Sequence, residues 1–342
     1  MKKLLAISLV LSFVLCGCTG IPQSPTRKQY SATFLELFDT VTTVVGQAES
    51  KEAFEKAAYA VRDELKIYHQ LFDIYHDYEG IQNLKTVNDQ AGIAPVTVDK
   101  RIVALLLDCK RYYEITDGRV NVAMGSVLKL WHEAREDGIN DPQNAALPDE
   151  QALETGAQHT DLEKLIIDEA ASTVYISDPH MRLDVGAVAK GWATQKVAES
   201  APEGLLLSVG GNVCATGPKD EKGTPWVVGI QKPDGGDNYL HTLTITRGCV
   251  VTSGDYQRAY MVNGKTYHHI IDPDTRYPST YWRSVTVVCN DSGLADALST
   301  ALFLLPREAG QALLDQWDAE AMWVDAAGSR SYSPGFSALI RT

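Results

Sequence analysis

Apolar positions recur at helical spacing in two stretches of the N-terminal half. From Ser50 to Tyr68, the residues Ala53, Phe54, Ala57, Ala58, Val61, Leu65 and Tyr68 fall on one face, and Ser50 stands where an N-cap is needed. From Lys100 to Thr116, Ile102, Leu105, Leu106, Cys109 and Tyr113 do the same, with Asp117-Gly118 as the stop. β-Branched runs predict strands instead. Phe34 to Gly46, with Thr40-Val41-Thr42-Thr43-Val44-Val45, reads as one strand, and shorter ones follow at Lys164 to Asp168 and Thr173 to Ser177. The acidic stretch Glu136 to Glu150, with its Asn and Pro residues, reads as a surface loop before a further helix. Beyond Gly204 strands dominate: Leu205 to Val209, Trp226 to Ile230, Leu240 to Thr246, Val250 to Ser253, Ala259 to Val262 and Ser284 to Val288. Two helices interrupt them, near Leu294 to Leu304 and Pro306 to Trp317. The turn Val262-Asn263-Gly264-Lys265 makes a hairpin of its flanking runs, so sequential strands pair antiparallel and the class is α+β.

Composition narrows the picture only at its edges. With 342 residues, 44% hydrophobic and 22% charged, the chain can bury the core of one large domain or two small ones. A formal net charge of -13 argues against nucleic acid and acidic membrane surfaces as general partners, because both select a cationic footprint. Any bound phosphate must be held by local features.

The N-terminus has the plan of an export signal. Met1-Lys2-Lys3 is basic, Leu4 to Leu15 is apolar but too short to span a bilayer, and Leu15-Cys16-Gly17-Cys18 closes it. That last stretch resembles a bacterial lipobox, which implies removal of residues 1–17, lipidation of Cys18 and a lipid-anchored, extracytoplasmic position at the cell membrane. Residues 18–30, with Pro22, Ser24, Pro25 and Thr26 and no apolar periodicity, read as a tether to a domain spanning 31–342. Cys109, Cys214, Cys249 and Cys289 are isolated in sequence, without zinc-site spacing; buried thiols and one or two disulfides both remain open.

Candidate chemistry gathers in a few blocks. Asp296 and Thr300 lie one turn apart on a helix whose neighbours Ala297, Leu298, Ala301 and Leu302 are apolar; a carboxylate there needs a partner, and a hard cation such as Mg²⁺ accepts a carboxylate and a hydroxyl. Asp184-Val185-Gly186-Ala187-Val188-Ala189-Lys190-Gly191 sits between a strand ending near Leu183 and a helix running through Trp192 to Glu199. There, helix-terminal N–H groups would meet an anion, or Asp184 would simply cap the helix. His268 and His269 end a strand ahead of an Asp272-Pro273-Asp274-Thr275 turn. Ser208-Val209-Gly210-Gly211-Asn212 is a tight strand exit.

Taken in order, these blocks resemble the ApbE family, the FAD:protein FMN transferases, from about Phe38 to the C-terminus. The resemblance implies mostly antiparallel sheets flanked by helices, with a flavin cleft between two subdomains. It implies Mg²⁺ held by the Ala187 carbonyl, Asp296 and Thr300, and FAD contacts from Asp184 and Lys190. His269, in a block similar to the family's H-[IV]-[ILV]-D-P-x-T-G, is implied as the group accepting the proton of the attacking hydroxyl, with Ile270 beside the cofactor. Arg276 replaces the last Gly of that motif, so the turn is expected to avoid a positive φ there. Asp117 to His132 resembles a further family segment, giving backbone contacts from Val122, Ala123 and Met124, although Asn121 and Ala123 depart from the commoner Asp and Thr. Phe38, Tyr78 and Tyr256 are the remaining flavin candidates, Tyr256 being equally at home in the core. The implied reaction is Mg²⁺-dependent transfer of FMN from FAD to a threonine of a target flavoprotein, with release of AMP. Hydrolysis of FAD to FMN and AMP, or flavin carriage by a lipoprotein without catalysis, are the alternatives.

Overall fold

The computed structural model describes residues 27–236 and 238–341. The signal segment, Cys18 and most of the tether lie outside the described residues. The chain opens with a hairpin of Lys28–Leu37 (β1) and Thr40–Ala48 (β2), then a long helix Lys51–Phe72 (α1), whose Ser50 side chain accepts a hydrogen bond from the Ala53 N–H as an N-cap should. Leu84–Asp89 (α2), Val96–Thr97 (β3), Lys100–Ile115 (α3), Gly125–Asn140 (α4), Glu150–Ala157 (α5), Leu165–Asp168 (β4) and Thr173–Ile176 (β5) follow. Next come Ala189–Ser200 (α6), Leu205–Val209 (β6), Asn212–Ala215 (β7), Trp226–Gln231 (β8), Tyr239–Ile245 (β9), Gly248–Gly254 (β10), Ala259–Val262 (β11) and Lys265–His268 (β12). Ser284–Cys289 (β13), Ser292–Phe303 (α7), Arg307–Leu314 (α8), Ala319–Val324 (β14) and Arg330–Tyr332 (β15) complete the chain.

Eight strands form one sheet in the order β1-β2-β6-β7-β10-β13-β14-β15, every neighbouring pair antiparallel. Three small sheets, β3-β5-β4, β8-β9 and β11-β12, stand apart from it. The main core lies between the large sheet and the helices α1, α6 and α7. Among residues 292–303 of α7 only Thr300 escapes burial, as expected of a helix apolar around its whole circumference. Each buried Leu or Phe there stabilises by about 1.5–3 kcal/mol, so Leu298→Ala, which also opens a cavity, would cost about 2–5 kcal/mol. A second cluster, around Trp226, Leu243, Met322 and Phe336, seats the β8–β9 hairpin on the opposite face. A third, satellite cluster joins α4 to β11–β12 through Val127, Trp131, Tyr260 and Ile271.

Mixed helices and antiparallel sheets match the expected class, and four local readings need correction. Phe34 to Gly46 is two strands, turned by Phe38 (φ 52°) and Asp39 (φ 51°). A two-residue turn of this hand normally selects Asn-Gly; here the Phe38 N–H donates to His69 Nδ1 at 3.2 Å and the two rings meet edge to face, so tertiary contacts hold the strained pair. Helix α4 runs on to Asn140 rather than stopping before the acidic stretch. Gly138 is no terminator: a Cβ there would lie 2.6 Å from the Tyr260 ring, so the residue is small for packing. No strand ends at Leu183. Its N–H and C=O are clamped by the Asn88 side-chain amide at 2.7 and 3.0 Å, which does the work of a neighbouring strand. Finally, Arg276 does adopt a positive φ (64°), held by its N–H donating to Asp272 C=O and by Trp131 Nε1 donating to its own carbonyl at 2.8 Å.

Candidate functional site

A cleft of about 740 Å³ lies where the large sheet, the α6–α7 pair and the satellite cluster meet. One wall is a helix junction. Gly191, in the first turn of α6, has no room for a Cβ, which would stand 2.4 Å from both Asp296 Cβ and Ser292 C=O. That close approach lets the Gly191 N–H donate to Asp296 Oδ2 at 2.8 Å. The β6–β7 turn is made by Gly210 and Gly211, both at positive φ, and delivers Asn212, whose Nδ2 donates to the same oxygen at 3.3 Å. Both hydrogen bonds land on Oδ2, and among the described residues nothing donates to Oδ1. Burial pushes the Asp296 carboxyl above its usual range, which Lys190 opposes. An acceptor-rich, desolvated carboxylate with a free oxygen fits a cation. Thr300, one turn on, and Ala187, ahead of α6, line the same cleft. No group of three or more His, Cys, Asp or Glu side chains suited to a metal occurs among the described residues, and the expected set, with one carboxylate, one hydroxyl and one carbonyl, contains none.

Asp184 does not cap α6. The N-cap position is Val188, without a side-chain bond, and Asp184 Oδ1 instead accepts from the Gly186 N–H at 2.8 Å. Burial raises its carboxyl too, offset by that bond and by Arg258. Lys190 Nζ reaches the Gly186 carbonyl at 3.3 Å and lines the cleft.

The two histidines separate by their bonds. His268 is buried and used at both nitrogens: Nε2 donates to the Ser279 carbonyl at 2.8 Å, and Nδ1 accepts from the Ile270 N–H at 3.2 Å. His269 Nδ1 meets the Gln257 carbonyl at 3.1 Å, an acceptor only, so Nδ1 carries the proton and Nε2 keeps its lone pair. Burial, then Lys190 and Arg258, lower its pKa to about 3. The imidazole is neutral throughout the working range, and negative charge entering the cleft would raise its basicity.

Met124, Asp184, Ala187, Lys190, Tyr256, His269, Ile270, Asp296 and Thr300 all line this one cleft. Four expected residues do not. Val122 and Ala123 are buried behind the wall, the Val122 carbonyl accepting from the Asp184 N–H at 2.8 Å. Phe38 packs on His69, leaving Asp39 and Thr40 to face the cleft. Tyr78 is turned away: its hydroxyl donates to Asp73 Oδ2 at 2.7 Å and meets His69 Nε2 at 3.3 Å. Tyr75 does line the cleft, half exposed and stacked on His132 with ring centroids 4.9 Å apart. An apolar ring left in water beside a cleft suits a flat ligand. Sequence reading passed over it because Tyr75 sits in a loop with no periodicity to mark it. Arg258, at φ 45° and exposed, also faces the cleft and has no ion-pair partner among the described residues. An acidic protein thus collects Lys190, Arg258, Arg119 and Arg135 around one cavity.

The ApbE family model matches residues 38–323. The FAD:protein FMN transferase of Treponema pallidum (strain Nichols) is 32% identical over 326 residues, 90% of this chain and 87% of the relative. That of Klebsiella pneumoniae (strain 342) is 33% identical over 266 residues, 75% of this chain and 80% of the relative. Among solved structures, the ApbE protein of Thermotoga maritima superimposes with a TM-score of 0.80 at 27% identity, covering 92% of this chain and all of the other. The flavin transferase ApbE of Vibrio cholerae, at 21% identity and a TM-score of 0.74, shares the fold over 92% of this chain. The chain belongs to the ApbE family.

Proposed function

We propose that the chain is an FAD:protein FMN transferase that moves the FMN moiety of FAD onto a threonine hydroxyl of a target flavoprotein and releases AMP. The observation that carries this reading is convergence: segments around residues 184–190, 269 and 296–300 meet in one cavity large enough for a dinucleotide. Ala187 through its carbonyl, Asp296 and Thr300 would hold Mg²⁺, which would neutralise charge on the diphosphate. Tyr75 offers a stacking face to the flavin or adenine ring, and Lys190 and Arg258 bring positive charge to the phosphates. His269 Nε2 takes the proton of the threonine hydroxyl as its oxygen bonds to the phosphorus on the riboflavin side. The P–O bond to the adenylyl phosphate breaks, and AMP departs with the bonding pair. Hydrogen bonding to Gln257 keeps the receiving nitrogen aimed and unprotonated.

The test is incubation of the protein with FAD, Mg²⁺ and a threonine-bearing acceptor flavoprotein. The expected result is an acceptor mass increased by an FMN phosphoester, with one AMP per transfer. AMP without acceptor gain makes the protein a hydrolase. Flavin binding with neither product makes it a carrier. The same proposal attaches the chain by lipid on Cys18 to the outer side of the cell membrane, supported by the Leu15-Cys16-Gly17-Cys18 sequence. Among the described residues no helix is long and apolar enough to cross a membrane. Loss of detergent-phase partitioning in Cys18→Ala would bear out the anchor; retained partitioning would remove it.

A further inference from the structure

The cysteines that stand alone in the sequence do not stand alone in the fold. Cys214 of β7, Cys249 of β10 and Cys289 of β13 occupy one register line across three consecutive strands: Cys249 is the direct partner of Cys214 on one side and of Cys289 on the other. All three belong to the main core cluster, so their side chains share the face covered by α6 and α7. Direct partners in an antiparallel pair have Cα atoms about 4.5 or 5.5 Å apart, and both spacings fall within the roughly 4.4–6.8 Å that a disulfide accepts. Cys109, Cys214, Cys249 and Cys289 are all free thiols in this structure, and the neighbouring Cys214 thiol first, then burial, hold Cys249 well above the ordinary thiol range. Among the described residues Cys249 Sγ hydrogen-bonds to Gln195 Oε1, at 3.9 Å, and that oxygen already accepts the Ser292 N–H at 2.8 Å. Forming a bond from Cys249 to Cys214 therefore leaves the start of α7 as it is.

We infer that the ladder is an oxidation site in which Cys214 and Cys249 close a cross-strand disulfide, while Cys289 and Cys109 stay reduced. The oxidant is the disulfide of a thiol–disulfide oxidoreductase or of a small thiol. One cysteine thiolate attacks it and expels a thiolate; the second cysteine attacks the resulting mixed disulfide and expels another. One S–S bond forms and one breaks, and the two cysteine protons pass to the two departing thiolates. Relative exposures of 4% for Cys214 and 0% for Cys249 mean that the exchange occurs before α6 and α7 close over the sheet, during folding. The segment between the two sulfurs carries the β8–β9 hairpin, whose Val228, Gly229, Gln231 and Tyr239 line the cleft. The bond would staple the base of that excursion and restrict the unfolded chain.

The experiment refolds the full chain in a glutathione redox buffer and, separately, in dithiothreitol, alkylates it under denaturing conditions, and maps the unreduced digest by mass spectrometry. The expected result is a Cys214 peptide joined to a Cys249 peptide in most molecules, Cys289 and Cys109 alkylated, and a Tm roughly 5–10 °C higher in the oxidised sample. Cys249→Ala should lose both the link and the rise, and Cys289→Ala should keep them. Four alkylated core cysteines, a Cys249–Cys289 link as the main product, or links to Cys109 in equal yield would each overturn the assignment. FMN transfer is measured on neither arm, so the outcome is independent of the reaction proposed above.

Discussion

The two long walls of the cleft are anchored differently. The α6–α7 wall belongs to the main core, with Asp296 fixed by a backbone N–H and an amide and with the helices in van der Waals contact through Gly191. The facing wall, made by β11–β12 and the turn after it, rests on the satellite cluster and is shaped by three non-glycine residues at positive φ: Arg258, Asn263 and Arg276. On the proposed reading, the side chains that would hold the cation sit against the main core. His269, which on that reading would take the proton, sits on the lighter structure, where local strain is borne by tertiary hydrogen bonds.

The comparison breaks most sharply at Asp296. Asp296→Asn preserves shape and both accepted hydrogen bonds, so the fold should survive while turnover falls by about 10²–10³-fold or more. Added Mg²⁺ should raise the Tm of the parent and not of the variant; a variant with near-normal rate would move the cation elsewhere. His269→Asn should lower kcat by about 10²–10⁴-fold with FAD affinity unchanged in a flavin-fluorescence titration, whereas lost affinity would make His269 a recognition group. The same residue sets a pH dependence. With a folded pKa of about 3 against about 6.5 unfolded, the unfolded chain binds the extra proton between those values. Stability contributed by the neutral ring is therefore complete above pH 6.5 and lost as pH falls towards 3, by on the order of a few kcal/mol. Urea unfolding at pH 7 and pH 4 should differ less in His269→Asn than in the parent.

Smaller effects sharpen the contrast between walls. Gly191→Ala should cost at least about 1–3 kcal/mol in urea unfolding and lower activity with it, because no flexible side chain can yield to the new Cβ. Arg276→Gly, on the lighter wall, should relieve the left-handed strain and raise stability by up to about 1 kcal/mol, leaving kcat unchanged.

Elements with a clean period were legible from the chain alone. α1 begins at its predicted cap, and β11, β12 and their Asn263-Gly264 turn fall where the pattern puts them. The sequence reading failed where a distant partner overrides local preference: Phe38 and Asp39 turned by His69, Gly138 kept small for Tyr260, Arg276 held by Trp131. The site was legible as motifs, and nine of its expected residues meet in the cleft. That Tyr75 rather than Tyr78 lines the cleft was not legible, since nothing short of the Asp73–Tyr78–His69 bonds tells which of two nearby rings is held elsewhere.

Strand order in the large sheet also governs when its edges are covered. Helix α7 leaves from β13, and β13 is paired with β10 on one side and β14 on the other, so the strand that leads into Asp296 gains its second edge only from a segment past residue 319. During synthesis that edge is among the last parts of the sheet to leave the ribosome. A product cut short before β14 would expose that edge of β13 to pairing with other chains.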